Sequence, residues 1–306
     1  MTRRRLVAVV GPTAAGKTEL AAWLATRLDG EVVSVDSRQV FRRLDVGTAK
    51  PDAEVRARVP HHLLDVVEPD ERMDAAEYAR LGRAAIEDVT SRGRTVVLCG
   101  GSGLYLRALT EGLFDAPPGD PEVRRELDLA IARDGAPALH AELVRLDPRA
   151  AARIAPRDAV RIRRALEVAR VTGRPISEWQ ERHAFADRPY DVLCWLHSPE
   201  VTVLDRRIAE RSTAMWTGGL LDETAAVLAA GFAPELPPLQ AIGYREAQAH
   251  LRGDLSSEQA VAAIALATRQ YAKRQRTWFR KLEGARPISD PEDRETVLAE
   301  SIRFLG

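Results

Sequence analysis

The chain has 306 residues, its 45 Lys+Arg balanced by 45 Asp+Glu, and 45% of its residues are hydrophobic. This is the composition of a water-soluble globular protein of one large or two modest domains. Zero formal charge excludes a global field that would draw in nucleic acid, so any basic contact surface must be local. Cys99 and Cys194 lie far apart in apolar runs and read as buried thiols of a reducing compartment, not as a disulfide or metal pair. No run approaches the length of a membrane span. The five apolar residues Leu6–Val10 are too few for a signal peptide, so a cytoplasmic location without membrane contact is expected.

Leu6–Val10 reads as a strand, and Leu20, Trp23, Leu24 and Leu28 mark one face of a helix. Between them stands Gly11-Pro12-Thr13-Ala14-Ala15-Gly16-Lys17-Thr18, a G-x-x-x-x-G-K-[ST] sequence in the strand–loop–helix context that the motif requires. Glycines let backbone N–H groups close round phosphate oxygens, and the helix N-terminus adds its positive end. Lys17 is expected to reach the outer phosphates and Thr18 to hold Mg2+. The chain has four lysines in all, at 17, 50, 273 and 281. Arginine is its default cation, so a compact ammonium at position 17 looks chosen.

A second strand, residues 31–35, ends on Asp36-Ser37-Arg38-Gln39. In doubly wound sheets the carboxyl ends of strands face the ligand crevice, which puts Asp36 near whatever the P-loop holds. Its other reading is a helix N-cap. The adjacent His61 and His62 point in different directions on any regular element, which disfavours a metal pair. A helix over 75–89 precedes a third buried strand, 95–99, that runs into Gly100-Gly101-Ser102-Gly103, a second glycine-rich turn where backbone can approach a ligand. That strand ends without the acid that a P-loop ATPase carries for Mg2+, which argues against a motor or hydrolase.

From residue 114 to 190 the pattern is helical only, with helices expected from Asp120-Pro121 to Gly135, over 137–146 and over 158–172. Residues 191–196 return to the sheet. Between Arg149 and Arg174 eight arginines face two acids, a local excess of six, as expected where a phosphate backbone docks. Further helices follow Ser198-Pro199-Glu200 and run over 220–230. Ser256-Ser257-Glu258-Gln259 is a capping-box pattern for a long helix that interleaves Arg269, Lys273, Arg274, Arg276, Arg280 and Lys281 with Tyr271, Trp278 and Phe279. Basic residues among aromatics suit RNA, which is gripped by its phosphates and stacked on its splayed bases. The expected fold is α/β: a P-loop NTPase-like core, residues 1–113 and 191–306, with a parallel sheet flanked by helices, and an all-helical insertion domain, residues 114–190.

The P-loop, Asp36–Phe41, Gly47-Thr48-Ala49-Lys50-Pro51, His61–Asp65, Gly100–Tyr105, Arg161–Glu167, Ala241–Glu246 and Thr268–Arg280 follow one another in the order seen in tRNA dimethylallyltransferases, which the chain resembles over nearly its whole length. The resemblance implies transfer of a dimethylallyl group from its diphosphate to N6 of the adenosine just 3′ of the anticodon, in tRNAs reading codons that begin with U. No ATP is used, because the P-loop holds the diphosphate leaving group. The N6 amine needs a base as its bond to carbon forms, and Asp36 is the candidate on both its position and the resemblance. By the same matching, Ser102 lies where the base meets the allylic chain and Arg211 assists departure of the diphosphate. Ser37, Arg38 and Gln39 should contact the adenosine, with Arg124, Arg161, Arg164, Lys273 and Arg274 as further tRNA contacts. The target base must leave its stack to react, which implies a catalytic sheet and a helical clamp on the anticodon stem-loop. The chain departs from the family pattern at Arg38, Phe41 and Val160, which stand for a common Met, Tyr and Gln. Lack of a zinc-finger extension implies a bacterial form, expected to act as a monomer.

Two other readings compete. A P-loop kinase for a nucleoside or small metabolite would consume ATP and leave the basic C-terminal helix unexplained. A nucleotide-switched RNA-binding protein would need an Asn-Lys-x-Asp motif or a Walker-B acid for Mg2+, and neither is found.

Overall fold

The structure is a computed structural model that describes residues 3–113, 119–183, 187–288 and 293–306. The chain divides into two compact units, Met1–Thr110 with Pro189–Gly306, and Glu111–Arg188. Residue 114, the expected start of the helical insertion, lies outside the described residues.

The first unit begins with β1 (Arg4–Val10), α1 (Lys17–Arg27), β2 (Gly30–Val35), α2 (Ala53–Arg58), β3 (His61–His62), α3 (Ala75–Ser91), β4 (Thr95–Gly100) and α4 (Gly103–Glu111). In the second unit come α5 (Pro121–Asp134), α6 (Ala136–Leu146), α7 (Pro148–Ala151), α8 (Ala159–Thr172) and α9 (Ile176–His183). The chain then returns to the first unit with β5 (Tyr190–His197), α10 (Val201–Met215), α11 (Leu221–Ala229), α12 (Tyr244–Leu251), α13 (Ser257–Phe279), β6 (Arg286–Ile288) and α14 (Arg294–Leu305). Among the described residues no helix is long and apolar enough to cross a membrane.

All six strands are parallel, in the order β3-β2-β4-β1-β5-β6. A parallel sheet covered on both faces needs strands that are apolar throughout, and Leu6–Val10 and Val96–Leu98 are buried end to end. Val7 pairs with Val97 on one side and Leu193 on the other, so β1 is central. Leu20 and Leu24 of α1 pack on Val7, Val9, Val97 and Leu193, and Val297 of α14 joins the same cluster. The tail after Arg286 gave no sequence signal, yet it supplies the sixth strand and a helix whose Ser301 accepts a hydrogen bond from the Trp195 indole at 3.1 Å. β1 leads through α1 to β2 but lies beside β4, a reversal of strand order that opens a crevice at the carboxyl ends.

The helical unit has its own core of Leu127, Leu139, Leu143, Ile162, Leu166 and Ile176. Asp120 caps α5 by accepting from the Glu122 and Val123 amides. Asp147, buried, accepts from the Ala150 and Ser177 amides, both at 2.9 Å, and so joins α7 to α9. Burial alone would raise its carboxyl pKa, but those amides prevail and hold it below the usual range.

Candidate functional site

The carboxyl ends of β1, β2 and β4 are neighbours, so three loops converge: the P-loop, the Asp36 turn and the Gly100–Gly103 turn. The P-loop is bent by Ala14 and Gly16, both at positive φ, and α1 starts at Lys17. A Cβ on Gly11 would run into the His197 carbonyl at the end of β5, so only glycine fits there. Arg207 of α10 donates to the Ala15 carbonyl at 3.0 Å and braces the loop from behind. Lys17 is half-buried and folds back onto the Pro12 carbonyl at 2.6 Å. Burial draws its ammonium down to about 8; the nearby Asp36 opposes that fall and Arg211 adds to it. Arg211 reaches Thr13 Oγ1 at 3.4 Å, and burial lowers its pKa while Asp36 opposes the change.

Asp36 stands just past the end of β2. Its Oδ1 accepts from the Arg38 amide at 2.8 Å and the Gln39 amide at 3.4 Å. It caps a turn; no helix begins there. Ser102 ties this turn to the glycine loop: its amide donates to the Val35 carbonyl at 3.2 Å and its hydroxyl accepts from the Ser37 amide at 2.9 Å. Burial, then Asp36, pushes the Tyr271 phenol up to about 12, so it remains a neutral wall beside the carboxylate. Cys99, under the P-loop, is pushed up to about 11 by burial and is no nucleophile.

The turn rests on a clasp that the sequence did not reveal. Glu223 of α11 accepts from the amides of Asp45 (2.8 Å), Val46 (2.8 Å) and Gly47 (3.1 Å) and from the Tyr244 hydroxyl (2.6 Å). Lys50, its side chain 1% exposed, joins Asp45 at 2.6 Å, Asp65 at 2.5 Å and the Phe41 carbonyl at 2.6 Å. The Gln39 amide accepts from Ser34 Oγ at 2.9 Å and donates to the Ala49 carbonyl at 3.0 Å, which anchors it to the clasped loop. Ser37 is half-buried beside Ser102, and Arg38 is exposed with its guanidinium 3.3 Å from the Pro237 carbonyl.

Acids of neighbouring helices meet three of the eight arginines between Arg149 and Arg174, and Glu167 of the same helix meets a fourth. Arg124 (2.9 Å) and Arg164 (2.8 Å) both hold Glu167, whose side chain is 2% exposed. Arg163 pairs with Asp128, Arg170 with Glu142 and Arg149 with Glu181. Arg161 is 71% exposed, with a loose 3.4 Å pair to Asp158. On α13, Lys273 and Arg274 are exposed, and the Arg274 guanidinium lies 5.8 Å from the Tyr271 ring centre.

His61 and His62 turn to different partners, the Val59 carbonyl at 2.8 Å and Glu31 at 2.6 Å. Among the described residues no three His, Cys, Asp or Glu side chains converge as a metal site. Thr18, in the first turn of α1, is half-buried.

Residues 39–282 match the family model described as IPP transferase. The chain is 54% identical to the tRNA dimethylallyltransferase of Anaeromyxobacter dehalogenans over 96% of its own length and 97% of that protein. It is 46% identical to that of Geobacter sulfurreducens, over 100% and 98%. Among solved structures it resembles the tRNA isopentenylpyrophosphate transferase of Bacillus halodurans (35% identity, TM-score 0.73, 99% and 97% covered). It also resembles a eukaryotic dimethylallyltransferase described as acting on tRNA (25% identity, TM-score 0.81, 98% and 77% covered).

Proposed function

The chain belongs to the IPP transferase family of tRNA dimethylallyltransferases, and from that premise we propose that it moves a dimethylallyl group from dimethylallyl diphosphate to N6 of the adenosine 3′ to the anticodon, in tRNAs reading codons that begin with U. The carrying observation is the convergence of a P-loop, a carboxylate and two desolvated cations at the carboxyl ends of three adjacent strands.

In the proposed reaction the N6 lone pair forms the new C–N bond while the C–O bond to the diphosphate breaks. The amine is a poor nucleophile, because its lone pair is delocalised into the purine ring, and it must lose a proton as the bond forms. Asp36 takes that proton. Its Oδ1 is fixed by two amides, which leaves Oδ2 to face the amine. Negative charge gathers on the departing diphosphate, which Lys17, Arg211 and the P-loop amides at the start of α1, those of Gly16, Lys17 and Thr18, would stabilise. Thr13 lines that site through its contact with Arg211. Ser102 holds the turn that carries Asp36 and lines the passage where base and allylic chain meet.

The residues present fit a magnesium ion. The Thr18 hydroxyl is one oxygen donor, and diphosphate oxygens and waters would complete the shell, a mixture Mg2+ commonly accepts. Bound there, the ion would neutralise charge on the leaving group. Exposed Lys273 and Arg274 on α13, with Arg161 on α8, are the cations we assign to the RNA; Arg124 and Arg164 already engage Glu167. One chain carries every group named, which supports a monomer, and its tRNA substrate supports a cytoplasmic site of action.

The test is a transfer assay with labelled dimethylallyl diphosphate, Mg2+ and no ATP, using anticodon stem-loops with adenosine or guanosine at the target position. Label in the adenosine RNA alone supports the reading. ATP turnover with a small hydroxyl acceptor, and no labelled RNA, would replace it with the kinase alternative.

A further inference from the structure

Gln275 lies on α13, four residues from the end of a helix otherwise notable for its cations. It is 6% exposed, and both ends of its amide are matched. Its Oε1 accepts from the Thr13 amide of the P-loop at 2.8 Å, and its Nε2 donates to the Gly101 carbonyl of the glycine loop at 2.9 Å. The approach is close enough that a Cβ on Gly101 would collide with Nε2, and one on Gly103 would meet the Trp278 ring. The missing side chains of the second glycine turn therefore seat α13 as well as leaving room for a ligand.

Neither bond is a generic core contact. Thr13 carries the hydroxyl that Arg211 touches. Gly101 precedes Ser102, whose hydroxyl holds the Ser37 amide beside Asp36. One side chain thus spans the two halves of the reaction, the leaving-group loop and the turn of the base. Strands β1 and β4 fix the roots of these loops, but loop tips beyond the last ladder pair are free to shift, and in-line displacement tolerates little misplacement.

We propose that Gln275 is a positioning residue that sets the register between the P-loop and the Asp36–Ser102 turn. It touches neither the transferred group nor the amine. The proposal rests on the functional reading above for what the two loops do, and it adds the device that keeps them aligned. Because Lys273 and Arg274 precede it on the same helix, the helix offered to RNA is also the one that braces the donor site.

Two variants test this. Gln275→Met keeps the volume and removes both bonds; Gln275→Asn keeps the amide on a stem one methylene too short to reach both loops. Inorganic pyrophosphate is titrated into each without RNA, transfer is followed at saturating donor, and all values are taken per folded molecule by circular dichroism. Both variants should weaken pyrophosphate about tenfold, as loss of a buried amide's partner does. Both should also lower kcat about thirtyfold and leave KM for the stem-loop within about threefold. Thr277→Ala, an exposed change two residues on, should match the wild type.

Values within about twofold of wild type per folded molecule in both variants would overturn the proposal, as would a chain that folds in neither, since Gln275 would then be a core residue. The titration involves neither RNA nor transfer. A wild type that fails to label the stem-loop therefore sinks the functional reading, while the titration separately judges the brace on the P-loop.

Discussion

The catalytic crevice and the helical unit use positive charge in opposite ways. In the helical unit several cations are answered: Arg124 and Arg164 enclose Glu167, and Arg163, Arg170 and Arg149 each meet an acid. In the crevice Lys17 and Arg211 form no ion pair among the described residues; they reach only a carbonyl and a hydroxyl. Burial works against the charge of both. A paired cation holds a fold together. A desolvated cation without a counter-ion is poised for an anionic substrate, and the difference separates scaffold from site more sharply than a count of basic residues.

The comparison can be broken at several points. The largest effect should come from the acid beside the P-loop: Asp36→Ala should lower kcat about a thousandfold, within the range for loss of a general base. Its donor KM should change by no more than about threefold, and a kcat near wild type would remove Asp36 from the chemistry. In the helical unit the acid is structural, so Glu167→Ala, which strands two arginines, should cost about 2–3 kcal/mol of stability. A melting temperature equal to wild type would show that the pairs around Glu167 do not matter.

A third expectation concerns pH. Lys17 is charged below its pKa of about 8 and loses its proton above it. Donor affinity that depends on the ammonium is therefore complete below that pH and lost as pH rises through it, so kcat/KM for the donor should fall about tenfold by one unit above it. A flat profile across that window would contradict the role given to Lys17. The smallest effect is expected at Arg161, exposed and only loosely paired. Arg161→Ala should weaken stem-loop binding about threefold and reduce its salt slope by less than one. An unchanged slope would mark Arg161 as ordinary surface.

What could be read from the sequence follows the same division. The P-loop, Asp36 and the Gly100–Gly103 turn are legible because each signal is local: a strand, a loop and a helix in one continuous stretch, Arg4 to Arg27, or a carboxylate at a strand end. Strand β6 is three residues around a proline and has no run to notice. The arginine pairs were invisible for another reason. Arg163 finds Asp128 35 residues away and Arg149 finds Glu181 32 residues away, so a window rich in arginine showed the cations and hid the acids. Gln39, Glu223 and Gln275 carry no motif of their own. Their roles come from backbone amides and carbonyls that only tertiary packing brings to them, across 262 residues in the case of Gln275 and Thr13.

The most direct test of the contrast is an isothermal titration of inorganic pyrophosphate into the wild-type chain and into Lys17→Ala, with Mg2+ and without RNA. If the P-loop lysine is a desolvated cation held for the leaving group, the variant should bind about a hundredfold more weakly, as expected for a lost charge-assisted contact in a partly buried site. Equal affinity in the two proteins would mean that the diphosphate sits elsewhere, and the account of the crevice would fall with it.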